Sequence, residues 1–197
     1  ELTVHGSFRF SDEIDAAVAL LDADPGIEQV VTHELPAERA LEAGCGLIVV
    51  ANKWDLVEKD TNTAAAFERH LRERSRSLRH VPVVFTSALT GQRVHKTLDL
   101  VLEVAAQRSR RIPTSEVNDV VLELAQRRPP PHYRGQTVRL LYATQASASP
   151  PTFVIFTNQP KGIPEHYIRY LHNGFRERWG FTGTPIRIRI RGRREPK

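Results

Sequence analysis

The chain has 197 residues, 40% of them hydrophobic and 26% charged, a length and balance that suit one large or two small soluble domains with a real core. No run of about 18 apolar residues occurs and no secretory pattern opens the chain, so neither membrane insertion nor export is expected and the cytoplasm is the expected compartment. The net charge of +5 divides unevenly: residues 1–107 carry 11 Lys and Arg against 17 Asp and Glu, whereas residues 108–197 carry 17 against 6, which makes the second half the candidate polyanion binder.

Residues 1–10 alternate loosely and predict a short strand to which no chemistry attaches. The apolar run 16–21 predicts a strand closed by the turn Asp22-Ala23-Asp24-Pro25-Gly26. Residues 28–43 predict a helix with Pro36 as an interruption, and Leu47-Ile48-Val49-Val50-Ala51 a buried strand, so strand, helix and strand form a βαβ unit. After Asn52-Lys53-Trp54-Asp55 comes a predicted helix over 63–78 with Phe67, Leu71 and Leu78 as its sparse apolar positions. Val81-Pro82-Val83-Val84-Phe85 predicts the next strand, and 94–106 a helix with Leu98, Val101, Leu102 and Ala105 at helical spacing. The pattern so far is a parallel, doubly wound sheet. A helix over 114–126, capped by Thr114 or Ser115, turns Val117, Val120, Val121 and Leu124 inward. Strands are predicted at 138–144 and 152–158 around a Ser/Ala/Pro loop at 145–151. A helix starting at Pro164 carries Tyr167, Tyr170, Leu171 and Phe175, and a last strand at 184–191 alternates Ile with Arg. This second series is α-β-β-α-β.

The chemistry concentrates in two turns. Asn52-Lys53-Trp54-Asp55 stands at the end of a buried strand, where open α/β sheets bind ligands. A carboxylate at Asp55 can accept from both N1-H and the exocyclic amine of guanine, a pair adenine does not offer. Asn52 can meet the O6/N7 edge and brace neighbouring loops, and the Lys53 methylenes can lie along the base. By composition alone, N-K-x-D arises in such a chain on the order of a few per cent of the time. Its strand context sharpens the signal, and Ser87-Ala88-Leu89, one β-α-β step later, sharpens it further: a tight turn there can present the Ala88 N-H to guanine O6, held by Ser87 and released at Gly91.

These two motifs look like a translation-factor-type GTPase domain. Asn52-Lys53-Trp54-Asp55-Leu56-Val57, Ser87-Ala88-Leu89-Thr90-Gly91 and the exit stretch Arg110-Arg111-Ile112-Pro113-Thr114-Ser115-Glu116 resemble the second G domain and linker of the Der family, also called EngA. Tyr142-Ala143-Thr144-Gln145, Pro150-Pro151-Thr152-Phe153-Val154 and the stretch from Gly180 to Ile186 are similar to its C-terminal KH-like domain. The resemblance implies an incomplete P-loop-NTPase-like doubly wound α/β sheet over 1–107, an Arg-rich linker at 108–113 and an α+β KH-like domain at 114–197. It implies guanine binding at Asn52, Lys53, Asp55, Ser87, Ala88 and Leu89, with GTP or GDP, Mg²⁺ and K⁺ as cofactors. It further implies action in ribosome biogenesis, with the large subunit and its rRNA as partners, a first G domain in the full-length pattern and no membrane. No G-x-x-x-x-G-K-S/T loop and no D-x-x-G segment occur, so the chain shows neither a phosphate nest nor an Mg²⁺ hydroxyl, and no catalytic residue is named. The family continues its Pro-Gly-Ile turn with T-E-Q-D, where this chain has Glu28-Gln29-Val30-Val31. A fragment or gapped chain is the expectation, with a degenerate relative as the alternative.

On the predicted last strand, Arg187, Arg189 and Arg191, extended by Arg193 and Arg194, form a candidate RNA stripe. The bland reading is an edge strand protected by charge. The G-x-x-G clamp of ordinary KH modules is absent, and Asn158-Gln159-Pro160-Lys161-Gly162 does not supply it. Eight histidines show no metal-ligand spacing, so no metal site is expected, and Cys45 reads as a structural thiol. Trp54 and Trp179 read as packing residues, with Trp54 a candidate screen for the base pocket. Two functions compete: a GTPase whose KH-like domain docks on rRNA, and an RNA- or ribosome-binding module carrying a non-hydrolysing G-domain remnant. A protein-interaction role without RNA is a third.

Overall fold

The computed structural model describes residues 2–9, 16–23, 36–58 and 60–192. It divides into two compact units, residues 1–108 with 182–185 and residues 109–181 with 186–197. Among the described residues no helix is long and apolar enough to cross a membrane.

The first unit is built on a sheet in the order β1 (Leu2–Arg9), β2 (Ala16–Ala23), β3 (Gly46–Asn52), β4 (Val83–Phe85). β1 runs antiparallel to β2, and β2, β3 and β4 are parallel. β3 is apolar at five successive positions because both its faces are covered. Leu47 and Val49 pack with α1 (Pro36–Ala43) and α2 (Thr63–Arg74), whereas Ile48 and Val50 pack with α3 (Val94–Ser109). Alternate residues therefore serve opposite layers, and helices lie on both faces, as expected of a doubly wound sheet. Cys45 is half-buried among the α1 and α2 contacts. Residues 182–185 complete this unit: the Leu47 N-H donates to the Gly183 carbonyl at 2.7 Å, and the Gly183 N-H to the His80 carbonyl at 2.7 Å.

Several boundaries differ from the sequence reading. Of the helix expected over 28–43, the described part is α1, with Pro36 at its first position, where a missing N-H is tolerated; residues 28–35 lie outside those described. The helix expected over 63–78 stops at Arg74, where Ser75 turns extended and a 3-10 turn, Arg76–His80, turns Leu78 inward. β4 begins at Val83, because Pro82 has no N-H for the ladder and contributes only its carbonyl, which accepts from Val49. On α3 the buried positions are Val101 and Val104, while Leu98 and Leu102 are 54% and 61% exposed. The stripe that meets the sheet is thus rotated by about one residue from the one drawn through 98, 101, 102 and 105.

The second unit is an α-β-β-α-β arrangement: α4 (Thr114–Arg127), β5 (Leu140–Ser147), β6 (Thr152–Thr157), α5 (Glu165–Trp179) and β7 (Arg187–Gly192). β5 and β6 are antiparallel, β6 and β7 parallel, in the order β5-β6-β7. Val117, Val120, Val121 and Leu124 of α4 are buried against Tyr167, Leu171, Phe175 and Trp179 of α5 and against Phe153 and Ile155, each fully buried aliphatic contributing about 1.5–3 kcal/mol. Phe153 stacks on Trp179 at 5.4 Å between centroids. α4 carries no side-chain cap; the Thr114 hydroxyl, expected to cap it, lies 3.1 Å from that of Thr144. At its other end, Tyr167 donates to the Arg128 carbonyl at 2.7 Å, and Tyr170 to the Leu124 carbonyl at 2.9 Å, which also accepts the Arg128 N-H. Gln145 is buried because its amide clamps the chain before α4, accepting from the Ile112 N-H at 2.7 Å and donating to the Arg110 carbonyl at 2.9 Å. β5 accordingly runs through Ser147, beyond the expected 138–144, and β7 starts after Pro185 at Arg187, whose N-H donates to the Pro151 carbonyl.

Candidate functional site

The C-terminal ends of β3 and β4 carry the two turns, and backbone bonds stitch them together beyond the strands themselves. The Thr86 N-H donates to the Ala51 carbonyl at 2.8 Å, and the Trp54 N-H to the Thr86 carbonyl at 2.9 Å. Trp54 anchors its turn from below: it is 5% exposed and lies 4.3 Å from Phe85 and 5.9 Å from Phe67, centroid to centroid. Lys53 takes a left-handed backbone, φ 56°, and is exposed, whereas Asp55 is half-buried with its Oδ1 shielded from solvent.

Asn52 joins the turns. Its Oδ1 accepts from the Ala88 N-H at 3.1 Å and from the Thr86 hydroxyl at 3.4 Å. Both partners are donors, so the side-chain oxygen faces them and the Nδ2 amide, itself a donor, is turned elsewhere. Ser87 is fully buried; its Oγ accepts from the Thr90 N-H at 3.2 Å and its N-H donates to the Gln92 carbonyl at 3.2 Å. Ala88 is exposed and Leu89 is 87% exposed. Asn52 is therefore bonded to Ala88 and Thr86, Ser87 holds its own turn through Thr90 and Gln92, and Leu89 projects to solvent. Thr86 was not singled out from sequence, although its position between strand and turn was the available signal. Downstream, the Asp60 carboxylate accepts from the Thr63 hydroxyl at 2.7 Å and from the Asn62 N-H at 2.8 Å, bonds that hold its pKa below the usual value and seat the start of α2.

The second unit carries the arginines. Arg187 is half-buried and Arg189 and Arg191 are exposed on β7; Arg193 and Arg194 lie outside the described residues. Register pairs Arg187, Arg189 and Arg191 with Thr152, Val154 and Phe156, so the arginines share a sheet face with Phe156. Tyr142, which pairs with Phe156 across β5, is 46% exposed and its ring lies 5.9 Å from that of Phe156. These two rings beside the arginines were not identified from sequence; the alternation of Tyr142 and Thr144 on β5 was the signal.

Comparison with known proteins agrees with this division. The elongation factor Tu GTP-binding domain matches residues 7–107, and the KH-domain-like C-terminal domain of EngA bacterial GTPases matches residues 111–191. The GTPase Der of Gemmatimonas aurantiaca is 51% identical over 93% of this chain. The chain belongs to the Der (EngA) family. Der of Desulfitobacterium hafniense is 42% identical over 100% of the chain and that of Trichlorobacter lovleyi 43% over 92%. The chain spans 42%, 44% and 40% of the length of these three Der proteins. A crystal structure of an Aquifex aeolicus Era variant bound to GDP.AlF4- is 16% identical with a TM-score of 0.35, covering 93% of this chain and 66% of that one.

Proposed function

We propose that the first unit supplies the base-recognition part of a Der GTPase and that the second carries it to ribosomal RNA. The observation that supports the first half most is the shared oxygen of Asn52: it holds the Ala88 turn to the strand end from which Lys53 and Asp55 follow. In this reading the Asp55 carboxylate accepts from guanine N1-H and N2-H, Nδ2 of Asn52 donates to the N7/O6 edge, and the methylenes of Lys53 cover one face of the ring. The Ala88 N-H is engaged by Asn52, so contact with O6 from that donor is a shared, three-centre bond. Adenine would leave the half-buried carboxylate facing an acceptor, which is the source of base selectivity.

Hydrolysis belongs to the whole Der protein and needs parts that handle phosphates. Among the described residues no group of three His, Cys, Asp or Glu converges on a point. GTP or GDP is the nucleotide, and nucleotide state sets the affinity of the KH-like unit for the large subunit during ribosome biogenesis in the cytoplasm. The surplus of 17 Lys and Arg over 6 Asp and Glu across residues 108–197, and the Arg187, Arg189, Arg191 face beside Tyr142 and Phe156, support the RNA half. Fluorescent GDP titration tests the first half: Asp55→Ala is expected to weaken binding at least about 100-fold without unfolding the chain, and equal affinity for GDP in the variant would refute it.

A further inference from the structure

We infer that a cleft at one end of the second unit's sheet is a single-stranded RNA nucleotide site, distinct from the β7 arginine face; the inference rests on the RNA reading above. The cleft has a volume of about 500 Å³ and is lined by Tyr133, Arg134, Gln136, Gln159, Pro160 and Lys161. It lies where β5 begins and β6 and β7 finish, since Leu140 pairs with Thr157 and Thr157 with Gly192.

Its walls offer what a nucleotide needs. A tight turn forms one wall: the Tyr133 N-H donates to the Gln136 carbonyl at 2.9 Å and the Gln136 N-H to the Tyr133 carbonyl at 3.0 Å, with φ 49° at Arg134 and 75° at Gly135. Two successive left-handed residues define the hairpin turn that Asn-Gly normally supplies; an arginine at the first is a strained choice. The strain is retained with the guanidinium 5.5 Å from the Tyr133 ring centroid, a planar cation over an aromatic ring, which is a stacking surface for a base. On the other wall, Gln159 donates to Gln136 Oε1 at 2.6 Å, so two amides stand together with further donor and acceptor capacity for base edges. Lys161 is exposed on the 3-10 turn Pro160–Gly162 and supplies a phosphate-binding charge. Gly192, the last residue of β7, packs closely on Pro160 of the cleft wall: a Cβ there would stand 3.1 Å from Pro160 Cγ. Cation, stacking plane and paired amides together fit a nucleotide of a single strand better than an acidic peptide, which needs only the charges.

The test uses the intact chain and fluorescein-labelled single-stranded RNA dodecamers, read by anisotropy, with ultraviolet crosslinking mapped by mass spectrometry. Arg134→Asn keeps a residue that favours the turn, so its melting temperature is expected to hold or rise. Combined with Lys161→Ala it is expected to weaken RNA binding at least tenfold, and wild-type crosslinks are expected on the peptide containing Tyr133. If a variant carrying Arg187→Glu, Arg189→Glu and Arg191→Glu loses RNA while the cleft variants retain full affinity, the cleft site is wrong and the RNA reading stands. If the wild-type chain binds no dodecamer, both fail, and if polyglutamate displaces RNA at equal charge concentration, the nucleotide assignment is overturned.

Discussion

Asn52 has one acceptor and one donor on its side chain, and the Ala88 N-H takes the acceptor. That single bond decides what Asn52 can say to a base. Asn52→Asp preserves an oxygen for Ala88 but replaces the donor by a second acceptor facing guanine O6 or N7. The melting temperature is therefore expected to stay within a few degrees of wild type while GDP affinity falls about 100-fold; calorimetric titration beside thermal unfolding checks both. Trp54 has the opposite profile. It is packed on Phe67 and Phe85, so Trp54→Ala is expected to cost about 3–5 kcal/mol in denaturant unfolding. The sequence made Asn52, Lys53 and Asp55 visible because their residue types match guanine chemistry. It could not show which Asn52 atom is already committed, because that depends on a donor 36 positions away.

At the scale of elements, α4 and α5 are held close at Gly174, where an added Cβ would meet the Leu124 methyls at 2.5 and 2.6 Å. Gly174→Ala therefore sets a helix-propensity gain of up to about 1 kcal/mol against overpacking of about 1–3 kcal/mol. Net loss of stability in urea is expected, relieved when Leu124→Ala is combined with it. His172 on α5 gives the unit a pH dependence. Burial, reinforced by the Arg176 charge, lowers its pKa from 6.5 to about 4. The unfolded chain thus binds more protons between those values, so stability is full above about 6.5 and is withdrawn at roughly 1.4 kcal/mol per pH unit as pH falls toward 4. In His172→Gln that stretch of the acid-unfolding profile is expected to flatten. The α4 stripe was legible because four apolar residues at helical spacing admit one buried face. The α3 stripe was not, because Leu98, Val101, Leu102, Val104 and Ala105 admit more than one face and the sheet selected Val101 and Val104. The break at Ser75 was hidden for a related reason, since it depends on what Leu78 meets across the fold; the late start of β4 was legible in Pro82, which has no N-H for a ladder.

For the whole molecule, the change of charge sign near residue 108 foreshadowed two units of different chemistry, and a parallel sheet followed by an α-β-β-α-β unit is what the periodicities implied. Membership of residues 182–185 in the first unit was illegible, since it rests on Gly183 bonds to Leu47 and His80, over a hundred positions away. The central claim is that Asp55 reads guanine, and base exchange tests it most directly. Xanthine carries a carbonyl where guanine carries its 2-amine, so an amide at position 55 suits it as a carboxylate suits guanine. Titrating GDP and xanthosine diphosphate against the wild-type and Asp55→Asn proteins is predicted to give a preference for GDP of about 100-fold or more that reverses in the variant. An Asp55→Asn protein that keeps its preference for GDP, or a wild-type protein that binds GDP and ADP alike, would contradict the account.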